Sequence, residues 1–201
     1  MVAIRQLLRP LAYLRICHPS KPSFDWVVPG CLTALFVLAY VLAAVPIPIR
    51  GDDGIISAIT EFVKFSSGFY ITALAAIATF NRPGMDELME NPPELEGGKL
   101  SRRRFLAFLF GYLAFLSIAI YVAGALTRIY APSIVELLGP GLLLQGARVA
   151  FVAVYGFAMA NLLSTTLLGI YFLTDRIIRN RPEVRPVDGT PQPRPLGRRT
   201  G

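Results

Sequence analysis

Long apolar stretches alternate with short charged segments along the chain. Four of the stretches reach the roughly 20 residues that a helix needs to cross the hydrocarbon of a bilayer; they are residues 26–45, 55–80, 105–127 and 149–173. Lipid offers backbone amides and carbonyls no hydrogen-bonding partner, so helices are the expected form. The pattern predicts an all-α integral membrane protein in which residues 26–173 form a domain of four transmembrane helices, with a connecting loop at 81–104.

The segments on either side of this domain have different patterns. In residues 1–25, leucines recur at helical spacing and Arg5 and Arg9 stand four residues apart. This predicts an amphipathic helix in the headgroup layer, kinked at Pro10. The segment is longer than the basic start of a signal peptide, so we expect the first apolar stretch to be a retained span. Residues 174–201 are rich in proline, glycine and arginine and are predicted to be a disordered tail.

The composition is typical of a protein for which lipid is one of the solvents. Hydrophobic residues make up 54% of the chain and charged residues only 16%, whereas about 25% of residues are charged in a typical soluble domain. The formal net charge of +7 would suggest nucleic-acid binding in a soluble protein. Here the arginines adjoin the apolar stretches, where membrane topology and anionic headgroups explain them, and we expect no direct contact with nucleic acid.

The basic residues also predict how the chain is oriented. Of the 20 lysines and arginines, four precede the first apolar stretch, five lie in the loop 81–104 and seven lie in the tail. Basic residues near span ends mark the cytoplasmic side, and four spans bring these three segments to one face. We therefore expect both termini in the cytoplasm, Trp26 at the inner interface and residues 128–148 outside. That outer segment is predicted to be a short surface helix broken at 139–141, or alternatively a re-entrant loop.

One apolar stretch contains charged residues. Glu61 and Lys64 lie three positions apart in the second stretch, so they share a helix face and can form an ion pair. The stretch is longer than the hydrocarbon is thick, which places the pair near the outer interface with a structural role. The alternative is an ion or proton pathway, because ionisable residues within a span are functional candidates.

Small residues recur at helical spacing in the second and fourth stretches, where they allow helices to approach closely in lipid. They include Gly68, Thr72 and Ala76 in the second stretch and Gly156, Ala160 and Ser164 in the fourth. We expect these stripes to pack against other helices, either within one chain or between subunits of a homo-oligomer. The fourth stretch also has a polar middle, formed by Asn161, Ser164, Thr165 and Thr166. It permits a pore lining or interhelical hydrogen bonds, and the latter are the commoner use of such residues.

The loop 81–104 has separate acidic and basic parts. Arg102, Arg103 and Arg104 precede the third stretch and are expected to contact lipid headgroups. The acidic residues come before them; they are Asp86, Glu87, Glu90, Glu94 and Glu96. We expect this acidic block to project into the cytosol as a docking site for a basic soluble protein. The alternative is a solvated loop that has no partner.

The sequence contains none of the common catalytic motifs. His18 is the only histidine, so one chain can form neither a His-based metal cluster nor a catalytic triad. A glycine-rich phosphate loop that ends in Lys-Ser or Lys-Thr is also absent, since residues 99–101 read Lys-Leu-Ser. We therefore expect a non-enzymatic protein without cofactors or bound metal.

The architecture resembles that of the KwaA family, the small membrane components of the bacterial Kiwa anti-phage system. The resemblance rests on chain length, four spans, cytoplasmic ends and two stretches, GFYITALAAIATF at 68–80 and RFLAFLFGYL at 104–113. It implies an inner-membrane oligomer that senses phage attack and holds a soluble DNA-binding partner at its cytoplasmic face. We thus expect a sensor or scaffold that oligomerises and recruits a cytoplasmic protein; the alternatives are a pore or channel, or an accessory subunit of a transporter.

Overall fold

The computed structural model describes Gln6 and residues 8–17, 21–79, 86, 88 and 92–179, without the side chains of 175–179. Four long helices form most of the fold: α1 at Ser23–Leu42, α2 at Ile55–Thr79, α3 at Arg102–Leu138 and α4 at Leu142–Arg179. A 3-10 helix, Arg9–Arg15, precedes α1. Between α2 and α3, β1 (Glu94–Leu95) and β2 (Gly98–Lys99) form an antiparallel hairpin. The tail from 180 onward, where disorder is predicted, lies outside this description.

Each of the four helices is long and apolar enough to cross a membrane, so this part of the sequence prediction is confirmed. Helix α1 begins with a π-helical turn, Ser23–Val27, and continues as a regular α-helix over Val28–Leu42. Pro29 stands at the start of the α-helical part, seven positions into α1, and supplies no amide hydrogen to the carbonyls of the π-helical turn. The helix ends at Leu42, shortly before Pro46 and Pro48.

Helices α3 and α4 extend beyond the predicted spans and form a long helical hairpin. Residues 128–148, predicted as a surface helix or a re-entrant loop, are instead the end of α3, a short turn at 139–141 and the start of α4. The turn uses Gly139 and Gly141, whose φ angles are 63° and 158°, and the Gly139 amide donates to the Val135 carbonyl at 3.1 Å. The predicted spans are shorter than the helices because Arg128 and Arg148 interrupt the apolar stretches from which the spans were predicted. A charged residue can interrupt an apolar stretch without ending the helix.

The four helices pack in the order α2, α3, α4 and α1. Helix α1 lies against α4, and the 3-10 helix packs on α3, so the 3-10 helix occupies part of the cleft between α1 and α3. We call the end of the bundle at which α3 begins, with Arg102, Arg103 and Arg104, the basic end. The opposite end, at residues 139–141, is the turn end.

The N-terminal segment enters the helix bundle. Pro10 stands in the first turn of the 3-10 helix, and Tyr13 and Ile16 belong to the hydrophobic core, with 0% and 3% of their surfaces exposed. A helix that lay only in the headgroup layer would leave these side chains uncovered. The predicted amphipathic helix is therefore replaced, over its described part, by a short 3-10 helix that packs on α3; residues 1–5 and 7 lie outside the described residues.

Candidate functional site

A buried ion pair stands at the start of α1. Lys21 Nζ lies 2.6 Å from Asp25 Oδ2, and only 9% and 2% of the two side chains are exposed. The residues are four positions apart, which places them on one face of the first helical turn. Ionised side chains are almost never fully buried unless they are paired, so this pair is the most unusual polar feature of the described residues.

Tyr13 of the 3-10 helix completes the surroundings of the ion pair. Its hydroxyl donates to Asp25 Oδ1 at 3.2 Å, and Lys21 Nζ lies 4.6 Å from the centre of its ring. Lys21 also donates to the Leu14 carbonyl at 3.3 Å. Burial raises the pKa of Tyr13 above its usual range, and the Asp25 carboxylate raises it further. Tyr13 therefore remains a protonated hydrogen-bond donor to the carboxylate.

Side chains of α3 and α4 tie the ion pair to the rest of the bundle. The Tyr112 ring stacks on Tyr13, with 4.9 Å between ring centres, and its hydroxyl donates to Asn161 Oδ1 at 2.7 Å. Asn161 Nδ2 in turn donates to the backbone carbonyl of Asp25 at 2.8 Å. We call Tyr13, Lys21, Asp25, Tyr112 and Asn161 the polar cluster. Its members come from the 3-10 helix, α1, α3 and α4.

The π-helical turn at Ser23–Val27 explains why α4 can bond to the backbone of α1. A π-turn changes the regular bonding pattern of a helix and is often found at functional positions. Here the Asp25 carbonyl accepts the Asn161 amide, and the Phe24 carbonyl accepts the Ser164 hydroxyl at 2.7 Å. The expectation of an interhelical hydrogen bond from Asn161 is confirmed.

The polar cluster lies deep within the bundle. Tyr112 comes ten residues after Arg102, where α3 begins, which corresponds to a rise of about 15 Å along an α-helix. Asn161 stands near the midpoint of α4. Trp26, predicted at the inner interface, packs on Phe157 of α4 with 5.9 Å between ring centres. Trp26 therefore lies level with the middle of α4. The sequence could not predict this position, because the residue at which an apolar run begins does not show how that run is aligned with a neighbouring helix.

The N-terminal segment also joins the polar cluster to the β-hairpin. The Cys17 amide donates to the Glu94 carbonyl at 2.9 Å, and the Glu94 amide donates to the Cys17 carbonyl at 3.1 Å. Arg15 lies 3.9 Å from Glu96, and both side chains are 77% exposed. A short stretch of chain, residues 13–17, thus links the buried ion pair to the exposed surface of the hairpin.

The acidic block does not form one continuous patch among the described residues. Asp86 pairs with Arg103, which was predicted to contact lipid headgroups, through Nε to Oδ1 at 3.0 Å and Nη2 to Oδ2 at 3.1 Å. Glu94 and Glu96 are on the hairpin and reach solvent. The positions of Glu87 and Glu90 lie outside the described residues. The hairpin carboxylates are therefore the described part of the predicted docking site.

The predicted ion pair within the second stretch does not form. Glu61 and Lys64 are both exposed on the surface of α2, and the ion pairs found among the described residues do not include them. Positions three apart permit a pair but do not require one, because two long exposed side chains lose conformational entropy when they are held together. Among the described residues a buried ion pair is instead found at Lys21 and Asp25, which the sequence reasoning missed.

The two small-residue stripes have different surroundings. Gly156, Ala160 and Ser164 are buried, and a Cβ atom on Gly156 would lie 3.1 Å from Phe36 Cδ1 of α1. Packing within one chain therefore accounts for the stripe on α4. On α2, Gly68 and Thr72 are exposed and Ala76 is half-buried; a Cβ atom on Gly68 would meet nothing within 4 Å. The α2 stripe remains open on the surface of the chain.

The described residues hold no group of three or more histidine, cysteine, aspartate or glutamate side chains that could bind a metal ion. Cys17 and Cys31 are both free thiols at exposed positions. His18 lies outside the described residues, so the expectation of a non-enzymatic, cofactor-free protein stays a prediction. Neither a protein-family model, nor a curated protein, nor a solved structure matches the chain.

Proposed function

We propose that this chain is a multi-pass inner-membrane sensor and scaffold that forms homo-oligomers and recruits a soluble partner, with no catalytic activity of its own. The observation that carries the proposal is the continuous link from the buried ion pair through residues 13–17 to the exposed β-hairpin. A shift of the helices that disturbs Lys21 and Asp25 moves Tyr13 and, through Cys17, the edge of the hairpin. The hairpin is thus the output surface, and the polar cluster is the element that responds.

The charge distribution supports a cytoplasmic position for the basic end, with both termini on that side. If Arg102, Arg103 and Arg104 lie at the inner headgroups, Tyr112 is about 15 Å along α3. The hydrocarbon is about 30 Å thick and each headgroup layer adds roughly 5–7 Å, so the polar cluster lies in the inner half of the hydrocarbon. Ionisable residues at such a depth are rare and usually functional.

Energetics also favour a switching role over a purely stabilising one. Removing two charges from water costs about as much as their mutual attraction returns, so a buried ion pair adds little net stability. Sensors need an element with two arrangements of similar free energy. Lys21 also contacts the Leu14 carbonyl and the Tyr13 ring, so in the proposed second arrangement its charge keeps these partners when its contact with Asp25 lengthens.

The hairpin has the charge to recruit a basic partner. Glu94 lies in β1 and Glu96 in the turn beside it, and the contact between Glu96 and Arg15 is exposed at both ends. Exposed ion pairs contribute at most about 1 kcal/mol, so a basic protein can displace Arg15 at low cost. The displaced segment is the one that leads back to Tyr13.

The open stripe on α2 supports the oligomer. The Thr72 hydroxyl donates to the Gly68 carbonyl of its own helix at 2.9 Å, so it needs no partner from a neighbouring helix. Surfaces of this type allow close helix association in lipid. The resemblance to KwaA extends the proposal to anti-phage defence, with a DNA-binding protein as the recruited partner; any contact with nucleic acid is then made by that partner.

Co-purification tests the recruiting role directly. We expect the tagged protein, isolated in mild detergent from its native host, to retain a soluble protein whose amount falls at least several-fold in the Glu94→Gln/Glu96→Gln variant. The matched control is Asp52→Asn/Asp53→Asn, which removes the same charge from the loop at the turn end. Equal retention by wild type and both variants would place the docking site elsewhere, and retention of nothing by wild type would contradict the recruiting role.

The pore and transporter-subunit alternatives remain predictions, and the polar residues of α4 do not favour the pore. Asn161 and Ser164 are bonded to α1 of the same chain, so they are not available to line an aqueous path through it. Ion conductance of the purified protein in planar bilayers is the discriminating measurement. Reproducible unitary currents that disappear in an Asn161→Leu variant would replace the scaffold with a channel.

A further inference from the structure

A groove of about 1330 Å³ opens at the turn end of the bundle, between the ends of α1, α3 and α4. Its walls are mostly apolar and include Val41 of α1, Ile47 of the following loop, Ile134 of α3 and Leu144 and Phe151 of α4. Small-molecule pockets usually measure about 300–1,000 Å³. This groove is larger and has room for a long ligand.

The groove exists because the cleft between α1 and α3 is filled at one end only. At the basic end the 3-10 helix packs on α3, and Tyr13 stacks against Tyr112. At the turn end the chain that follows α1 contains Pro46 and Pro48, which supply no backbone donors and disfavour a helix that would fill the space. The loop instead forms one wall of the groove.

Two arginines line this mostly apolar groove. Arg50 comes from the loop and Arg148 from α4, and both are exposed. Among the described residues no carboxylate lies within 4.0 Å of either guanidinium group, although Asp52 and Asp53 follow Arg50 closely in the chain. Guanidinium groups bind phosphate through paired, charge-assisted hydrogen bonds.

The surface beside the groove carries several exposed leucines. Leu137 and Leu142, on either side of the turn at 139–141, are 85% and 86% exposed, and Leu143 is 67% exposed. Contiguous exposed leucines are typical of surfaces covered by lipid or by another protein. A ligand that enters here must therefore be compatible with an apolar exterior as well as with the two cations.

We propose that the groove binds one molecule of an anionic phospholipid. Arg50 and Arg148 hold the phosphate, and an acyl chain extends from it along Val41 and Phe151 towards the middle of the bundle. Charge complementarity excludes a neutral amphiphile as the best ligand, and the apolar walls exclude a small soluble anion. The site depends on the membrane location proposed above but not on the cytoplasmic partner, because it lies at the opposite end of the bundle from the hairpin.

Native mass spectrometry of delipidated protein in detergent tests the site with three defined probes. Phosphatidylglycerol is the expected ligand; phosphatidylcholine has the same chains without the net charge, and glycerol 3-phosphate has the phosphate without the chains. We expect one molecule of phosphatidylglycerol to bind, phosphatidylcholine to bind about tenfold more weakly, and glycerol 3-phosphate not to bind measurably. Equal affinity for the two lipids in wild type would overturn the proposal without any variant.

Matched variants locate the binding within the groove. Arg50→Gln/Arg148→Gln should weaken phosphatidylglycerol binding about tenfold or more. Arg128→Gln, which removes a charge near the same end from a residue that does not line the groove, should leave it unchanged. Similarly, Ile134→Gln should weaken binding, whereas Ile129→Gln, on the same helix outside the groove, should not. Equal effects of a groove variant and its control would contradict a specific site.

The same spectra separate the lipid from other occupants. If the groove instead receives a second copy of the chain, the Ile134→Gln variant reduces oligomer mass and the lipid adducts do not change, which overturns the proposal. Retention of the cytoplasmic partner is measured on the same preparations. Loss of lipid selectivity with the partner retained refutes this site alone, and loss of the partner with selectivity retained refutes only the recruiting role.

Discussion

For the ion pair at the start of α1, we predict that removing both charges together destabilises the fold less than removing one charge alone. In a Lys21→Met variant, the Asp25 carboxylate, which is 2% exposed in the wild-type chain, keeps only the Tyr13 hydroxyl, at 3.2 Å, as a side-chain donor. Removing one partner of a buried pair costs about 3–5 kcal/mol. We expect Lys21→Met to lie at the upper end of this range, because the buried negative charge is left almost uncompensated.

The complementary single variant should be milder. In Asp25→Asn the amide oxygen still accepts the Tyr13 hydroxyl, and Lys21 keeps the Leu14 carbonyl at 3.3 Å and the ring of Tyr13 at 4.6 Å. Its charge is therefore better accommodated than that of an isolated Asp25. We expect a loss near the lower end of the range, about 3 kcal/mol.

The triple variant Tyr13→Phe/Lys21→Met/Asp25→Leu removes both charges and the hydroxyl together. Two neighbouring contacts survive, since Asn161 bonds to the backbone carbonyl of residue 25 and Tyr112 can stack on phenylalanine as it does on tyrosine. Replacing a buried ion pair with apolar residues of similar volume is often neutral or stabilising. We expect the triple variant to be at least about 2 kcal/mol more stable than Lys21→Met.

Reversible unfolding in mixed micelles, driven by added sodium dodecyl sulfate and followed by circular dichroism, measures these differences. Arg15→Ala is the control, because its contact with Glu96 is exposed at both ends and should contribute less than about 1 kcal/mol. A triple variant as unstable as Lys21→Met would show that the pair stabilises the fold in its own right. A stable triple variant whose retention of the partner differs from that of the wild type would support the switching role, and unchanged retention would contradict it.

Three further predictions concern packing, hydrogen bonding and topology. Gly156→Leu should lower the unfolding temperature, because even a Cβ atom there approaches Phe36 to 3.1 Å, whereas Gly146→Leu on the same helix meets open space and should not. Tyr112→Phe leaves the amide oxygen of the buried Asn161 without its donor and should cost about 1–3 kcal/mol in the same micelle assay. Alkaline phosphatase fused after Arg181 should be inactive; high activity would place the tail outside the cytoplasm.

The sequence predicts those parts of the fold that depend on local pattern. Apolar length identifies the four helices, and the Gly-Pro-Gly run at 139–141 marks the turn between α3 and α4 because its two glycines adopt backbone angles that disfavour other residues. The continuation of the helices through Arg128 and Arg148 could not be predicted from hydropathy, because hydropathy measures the affinity of a segment for lipid. Backbone helicity also depends on the neighbouring helix, which hydropathy does not describe.

The polar cluster depends on contacts between residues far apart in the chain, so only a fragment of it can be read from the sequence. Lys21 and Asp25 stand four apart at the edge of an apolar run, and Asn161 interrupts an uncharged span; both signals are visible. Tyr13 and Tyr112 look like ordinary interface aromatics until the fold places their rings 4.9 Å apart. The burial of the ion pair follows from that stacking, because the 3-10 helix covers it.

The cleft between α1 and α3 is filled by the chain itself at the basic end and open at the turn end. Because the same helices border both ends, a change at the groove is expected to reach the polar cluster. At the basic end the cleft is filled by residues of the chain itself, held by the ion pair and by Tyr13. At the turn end its width is set by the same two helices, which line the groove. Because both ends share α1 as one wall and α4 as the floor, an occupant that spreads or closes the turn end is expected to tilt α1 relative to α4.

Such a tilt acts on the bonds from Asn161 and Ser164 to the first turn of α1, and these bonds lie beside Asp25. A lipid-dependent change in partner retention, abolished by the triple variant but not by Arg15→Ala, is therefore the behaviour expected if the groove and the ion pair belong to one sensing device.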